Sequence, residues 1–279
     1  MKKVLGLILL IAVSMSGLLF FSSCTEQGTK GLEYYPLPDG TYGVKMGTAQ
    51  YLDTIEIPAT YKGKSVTQIL ESAFQNAENI KNIVIPDSVM NIGAAAFSNC
   101  NSLTSIVIPT SVTSIGYAAF SGCSKLLEEV DCVDYIAHVL IACDSWTKFA
   151  EIREGTTIIA DGAFYYCRSL TSIVIPDSVT SIGDEAFALC SGLMSVTIGN
   201  GVMGIDSGAF RACVSLTSIV IPNSVTSIGD EAFYGCKGVT SIQFEGTTAQ
   251  WKAISKGYKW NEHVPASIVV CSDGVVSLK

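Results

Sequence analysis

Apolar and polar positions alternate along much of this chain in short bursts that stop at proline. From Leu170 the pattern runs Leu-x-x-Ile-x-Ile-Pro, then Asp-Ser, then Val-x-x-Ile-Gly and x-x-Ala-Phe, and nearly the same run starts at Leu103 and at Leu216. The alternation predicts a short strand with Ile173 and Ile175 on one face. Pro176 ends that strand, because proline has no amide to continue a ladder. Pro86, Pro109 and Pro222 hold the same place, and Gly199 does so in the unit that lacks proline. After a turn, Val-x-x-Ile supplies two more inward side chains. Ala followed four residues later by Cys predicts one helical or 3-10 turn around the phenylalanine.

The period is 23 residues: Phe74, Phe97 and Phe120 keep it, as do Phe164, Phe187, Phe210 and Phe233, whereas Phe120 to Phe164 spans 44. A unit this short cannot bury enough surface alone, so stacked units must share one interior. The expected fold is a β-rich, α+β solenoid of short strands and short helical or 3-10 turns. Repeats occupy 80–238, with a remodelled double unit at 126–169. Atypical segments at 31–79 and 239–279 are expected to cap the exposed ends. The last of these carries two apolar runs around Ser272, Asp273 and Gly274, a hairpin signal.

These residues also carry a resemblance. "AFSGCSKL" and units such as "LTSIVIPDSVTSIGDEAF" resemble the BspA-type, or Treponema pallidum-type, leucine-rich repeat family of bacterial surface and secreted proteins. The resemblance runs from about Gly31 to the C-terminus. It implies a right-handed leucine-rich repeat coil stack, with "GLEYYPLPDGTYGVKMGTAQYLDTIEIPATYKGKSVTQI" similar to the family's β-rich N-terminal cap and "FEGTTAQWKAI" similar to its last unit. It implies adhesion or binding of host and matrix proteins for some members, and unassigned roles for most. In the remodelled stretch, "VDYIAHVLIAC" and "KFAEI" resemble a hairpin that replaces part of a coil.

The N-terminus changes the picture of where such a stack would sit. Lys2 and Lys3 precede an uncharged run from Val4 to Phe21, and Ser22 and Ser23 lead to Cys24. This layout reads as a secretory signal over 1–23. "FSSC" resembles a bacterial lipobox, with Phe21 where the motif favours Leu, and implies lipidation of Cys24, a tether at 24–30 and an outer-membrane lipoprotein. Without Lys2 and Lys3, 15 Lys and Arg face 25 Asp and Glu, a formal charge of −10. Such a surface repels phosphate backbones, so nucleic acid is not expected as a partner.

Candidate chemistry is sparse. Cys100, Cys123, Cys167, Cys190, Cys213 and Cys236 each follow the repeat Phe by three residues, which predicts a column of buried thiols. A row of this kind is not a tetrahedral zinc set. Cys132 and Cys143 could meet across a hairpin. His138 is expected on a strand with a solvated side, and His263 in a loop. Asp184 with Glu185, and Asp230 with Glu231, are expected to favour the amides of a short helical start. No nucleophile elbow, zincin, P-loop or dinucleotide fingerprint is present, so neither a catalytic residue nor a cofactor is expected.

Two surfaces remain as candidates. On the strands Ser105 and Val107, Ser172 and Val174, and Ser218 and Val220 are expected to point outward, giving an uncharged and uniform face. The units differ most just after the repeat Phe, where Tyr165, Tyr166, Arg168, Arg211, Tyr234 and Lys237 collect on one edge. Trp146 is expected to fold over the core; exposed, it would be a binding anchor. The expected partner is a protein, with glycan binding or service in a surface polysaccharide-handling complex as the alternative.

Overall fold

A computed structural model describes residues 28–278; the signal segment expected at 1–23 and Cys24 lie outside the described residues. Each 23-residue unit closes into one coil held to its neighbours by three separate ladders. The first is the expected parallel sheet of Leu-x-x-Ile-x-Ile strands. Thr54–Glu56, Asn82–Val84 and Ser105–Val107 pair in register on one side of the remodelled unit. Ser172–Ile175 pairs with Ser195–Ile198, and Ser218–Ile221 with Ser241–Phe244, on the other.

The second ladder comes from Val-x-x-Ile, whose two-residue strands pair coil to coil, for instance Ser181–Ile182 with Gly204–Ile205 and then with Ser227–Ile228. The third runs through the corner around the repeat phenylalanine. Here two residues four apart adopt positive φ, such as Ala95 at 51° and Asn99 at 60°. This aims alternate amides along the stack, so Ala95, Phe97 and Asn99 donate to the carbonyls of Tyr117, Ala119 and Ser121 at 2.9, 2.7 and 2.7 Å. The corner is thus a run of tight turns whose main-chain bonds go to the next coil.

Repeated polar residues serve the stacking too. The hydroxyl of Ser178 donates to the Thr156 carbonyl at 2.8 Å, and Ser88, Ser111 and Ser224 do the same in their coils. The Pro176 carbonyl accepts the Val179 amide at 3.1 Å, which closes the turn after the strand. Losing the Ser178 hydroxyl leaves the Thr156 carbonyl without its side-chain donor. Ser178→Ala is expected to lower stability by about 1 kcal/mol, measurable by denaturant unfolding.

Inside, Leu170, Ile173, Ile175, Val179, Ile182 and Phe187 are buried together. The phenylalanines stack as a column: ring centroids lie 4.8 Å apart for Phe164 and Phe187, and 5.1 Å for Phe187 and Phe210. The cysteines form a second column. Cys190 Sγ donates to the Phe164 carbonyl at 3.0 Å, and Cys100, Cys123, Cys213 and Cys236 repeat that bond to their own preceding coils. Burial pushes the Cys190 thiol up to about 12.

All nine cysteines among the described residues are free, including exposed Cys132 and half-buried Cys143. Since the thiolate is the reactive form, a maleimide is expected to modify Cys132 first in the folded protein. The six column thiols should react only on unfolding, which mass spectrometry of the labelled protein checks.

The ends are closed as the capping argument requires. Tyr34 stacks on Tyr61 at 4.0 Å at the N-terminal end. At the other end Trp260 takes the next place in the aromatic column, 6.2 Å from Phe233, and the hairpin of Ile268–Cys271 with Gly274–Ser277 joins the first sheet. Helix Thr248–Ala253 carries a capping box between Thr247 and Gln250.

Between Phe120 and Phe164 the regular stack breaks. A meander of Glu128–Val130, Val133–Ile136 and Val139–Cys143 replaces the coil, and its last strand pairs in parallel with Ile158–Ile159 to carry the second ladder onward. Arg153 pins the meander by a 2.9 Å ion pair to Glu128, with its guanidinium 4.5 Å above the Tyr135 ring. His138 lies in the tight turn of this hairpin, between Ile136 and Val139, not on a strand. Burial lowers its pKa.

Candidate interaction surface

The outward strand positions lie where alternation puts them. Val84, Val107, Val174 and Val220 are all exposed, Val107 to 71%, while the isoleucines beside them are buried. Ser105, Ser172 and Ser218 are exposed next to these valines. From Asn82 onward the face is a row of small, polar and β-branched side chains without charge, with Glu56 beside Val84 at its N-terminal edge. It is interrupted once, at the remodelled unit, where Phe149 bridges to Ser172 and is itself 67% exposed.

Trp146 does not fold over the core. It occupies the turn after Val139–Cys143 with 71% of its surface exposed. The reason is spatial: Val139 to Ile141 and Cys143 already fill the place a coil would occupy, so the turn that follows projects into solvent. A groove of roughly 640 Å³ opens nearby, lined by Val130, Phe149, Ile152, Arg153, Val174 and Pro176.

The edge residues separate into three groups. Tyr165 and Tyr166 lie 6.4 Å apart, and the Arg168 guanidinium covers the Tyr166 ring at 3.8 Å. Arg211 lies between Glu185 at 3.4 Å and Glu231 at 3.6 Å, bridging successive coils. Tyr234 is half-buried against His263, with ring centroids 5.1 Å apart, and Lys237 is exposed beyond it. Only the first group presents open aromatic surface. Tyr117 extends that group, 6.3 Å from Tyr165 and exposed. Tyr117 and Phe149 carry no signal in the repeat pattern: one precedes the repeat Phe, the other lies in the unit without a repeat.

The acidic residues work across coils, not on the amides of their own turn. Asp161 Oδ1 accepts from the Asp184 amide at 2.9 Å, Asp184 Oδ1 from Ser207 at 2.8 Å, and Asp230 Oδ1 from Tyr258 at 2.6 Å. Burial, with Asp184 nearby, pushes the Asp161 carboxyl up to about 7 and that of Asp206 to about 6. These carboxylates are structural fastenings along a shallow trough.

The BspA type leucine-rich repeat region matches residues 48–138 and 157–256, in six copies, leaving out the middle of the remodelled unit. No curated protein matches the chain. Among solved structures, it is similar to a leucine-rich cell surface protein of Faecalibacterium prausnitzii, with 22% identity over 84% of this chain and 98% of that one and a TM-score of 0.37. It is similar to the leucine-rich repeat protein of T. pallidum, with 23% identity over 87% and 100% and a TM-score of 0.41. The pneumococcal vaccine antigen PcpA is 17% identical over 86% of this chain and 71% of its own, with a TM-score of 0.48. On the family match, which spans more than half of its length, this chain belongs to the BspA type leucine-rich repeat family.

Proposed function

We propose that the chain is a non-enzymatic protein-binding module of the bacterial cell envelope, anchored as an outer-membrane lipoprotein through Cys24. The observation that carries this reading is the exposed apolar row Val107, Val174 and Val220 together with Phe149 and Trp146 at its interruption. Large exposed aromatics beside an uncharged sheet are the residues that anchor protein interfaces. Adhesion to a host or matrix protein is the form of binding proposed.

The test is a panel of immobilised extracellular-matrix proteins run beside a glycan array. Binding to one matrix protein is expected, weakened at least tenfold by Trp146→Ala combined with Phe149→Ala, while Ser241→Ala on the same sheet leaves it unchanged. Glycan binding with no protein binding would replace this reading by the polysaccharide-handling one. Silence on both panels would overturn it. Mass spectrometry of the native N-terminus tests the anchor: an acylated Cys24 is expected.

A further inference from the structure

The third ladder is complete in six coils and missing in one. In the coils of Phe74, Phe97, Phe164, Phe187, Phe210 and Phe233, three alternate corner amides donate to carbonyls of the next coil at 2.7–2.9 Å. In the Phe120 coil the equivalent amides, those of Ala118, Phe120 and Gly122, meet no carbonyl or side-chain acceptor among the described residues. On the facing side, the Asp161 and Tyr165 carbonyls receive no amide either, and the Ala163 carbonyl is reached only by Cys143, at 2.8 Å. Phe120 is buried, Ala118 half-buried and Gly122 exposed, so the row is open to water and to a ligand that could take the place of the missing coil.

Between the two rows lies a cavity of roughly 320 Å³, space for about ten waters. Tyr117, Gly122, Asp134, Ala142 and Tyr165 are among its lining residues. One end is closed where the Asp161 amide donates to the Ile115 carbonyl at 2.9 Å and the Tyr117 ring lies over Gly162. Gly162 has φ of 65°, and a Cβ there would stand 2.4 Å from that ring. The cavity is the space that the corner of the remodelled unit gave up.

We propose that this slot binds a short segment of a partner protein, folded into the same tight turns as the other corners, whose carbonyls accept from Ala118, Phe120 and Gly122 and whose amides donate to Asp161 and Tyr165. Every other coil shows what satisfies such a row, a peptide main chain with donors and acceptors on alternate residues. Main-chain pairing of this sort supplies affinity, and flanking side chains supply selectivity. The volume restricts the occupant to a short segment that carries no more than one long side chain. Asp134 and Asp161 in the wall select a Lys or Arg there, and Tyr117 and Tyr165 offer faces for the cation. The proposal rests on the protein-binding reading and adds the chemistry of the partner.

The probe is acetyl-Ala-Ala-Lys-Ala-Ala-amide, titrated into the 15N-labelled full chain. Without peptide, the amides of Ala118, Phe120 and Gly122 are expected to exchange with deuterium at least tenfold faster than those of Ala95, Phe97 and Asn99. With peptide, they are expected to shift saturably and to slow. The proline-bearing acetyl-Pro-Pro-Lys-Pro-Pro-amide, which keeps no two alternate residue amides, should bind at least tenfold more weakly. Ala142→Phe, which fills the slot, and Ser121→Trp, at its exposed rim, should each abolish the response.

Equal protection of the two sets of amides in the free chain, or peptide binding that leaves those of Ala118, Phe120 and Gly122 unmoved, would overturn the proposal. So would an equal response to cellopentaose. If the chain binds a matrix protein and Ala142→Phe leaves that binding intact, the slot falls and the sheet-face reading stands. If no protein binds the sheet face, the amide response still decides the slot.

Discussion

Replacing Phe187 by alanine is expected to cost about 3–5 kcal/mol. Phe187 is fully buried and sandwiched between Phe164 and Phe210, with centroids at 4.8 and 5.1 Å. The ring fills the same place in its coil that its neighbours fill in theirs. Its loss therefore opens a void that the flanking coils cannot close without abandoning the 2.7 Å bonds of Phe164 to Ala186 and Phe187 to Ala209. Because a solenoid is stabilised by nearest-neighbour contacts, the variant should lose cooperativity as well as stability. Denaturant unfolding should give a lower midpoint and a broadened or biphasic transition. A shift of under about 1 kcal/mol would mean that the phenylalanine column is not what couples the coils.

The second large effect concerns pH. Folding raises the Asp161 carboxyl to about 7 and the Asp206 carboxyl to about 6, from a starting value of 3.8, chiefly through burial and secondly through Asp184. The folded state therefore binds these protons more tightly than the unfolded state does. By linkage, stability from these groups is fully present below about pH 4 and is lost as pH rises, through about 6 for Asp206 and about 7 for Asp161. At 1.36 kcal/mol per unit the Asp161 shift corresponds to at most about 4 kcal/mol, and partial solvent access reduces this to about 1–2 kcal/mol. Asp161→Asn keeps the oxygen that accepts the Asp184 amide and removes the charge. It should stabilise the protein at pH 8 and have little effect at pH 4.5. An equal difference from wild type at both pH values would show that Asp161 ionises normally in the folded protein.

What the chain spells out and what it withholds follow from periodicity. Strands and the inward columns of Phe and Cys were legible, because each depends on a side chain recurring every 23 residues. Alternation also placed Val107 and Val174 outside. The corner ladder was not legible. It depends on positive φ at residues as different as Ala95, Glu185 and Gly208, and main-chain direction imposed by stacking leaves no mark in residue type. The acidic residues misled for a related reason: Asp184 sits where a helix start would want a carboxylate, but the amide it meets, that of Ser207, belongs to the following coil. At the remodelled unit the register is lost, and with it any basis for orienting Trp146 or noticing Phe149. The hairpin itself could be read from "VDYIAHVLIAC", although His138 proved to be its turn.

The interruption also divides the interior. One cluster of buried side chains runs from Val44 to Ala160 and the other from Val133 to Cys271, and they interleave only through the meander and Ile158 to Ala160. Tension applied along the axis would meet its weakest junction there, where the main-chain links across the gap are few. Under load the protein would part into two compact blocks joined by a leash of chain before either block unravelled, so a tethered molecule could lengthen under shear and shorten again without losing its coils.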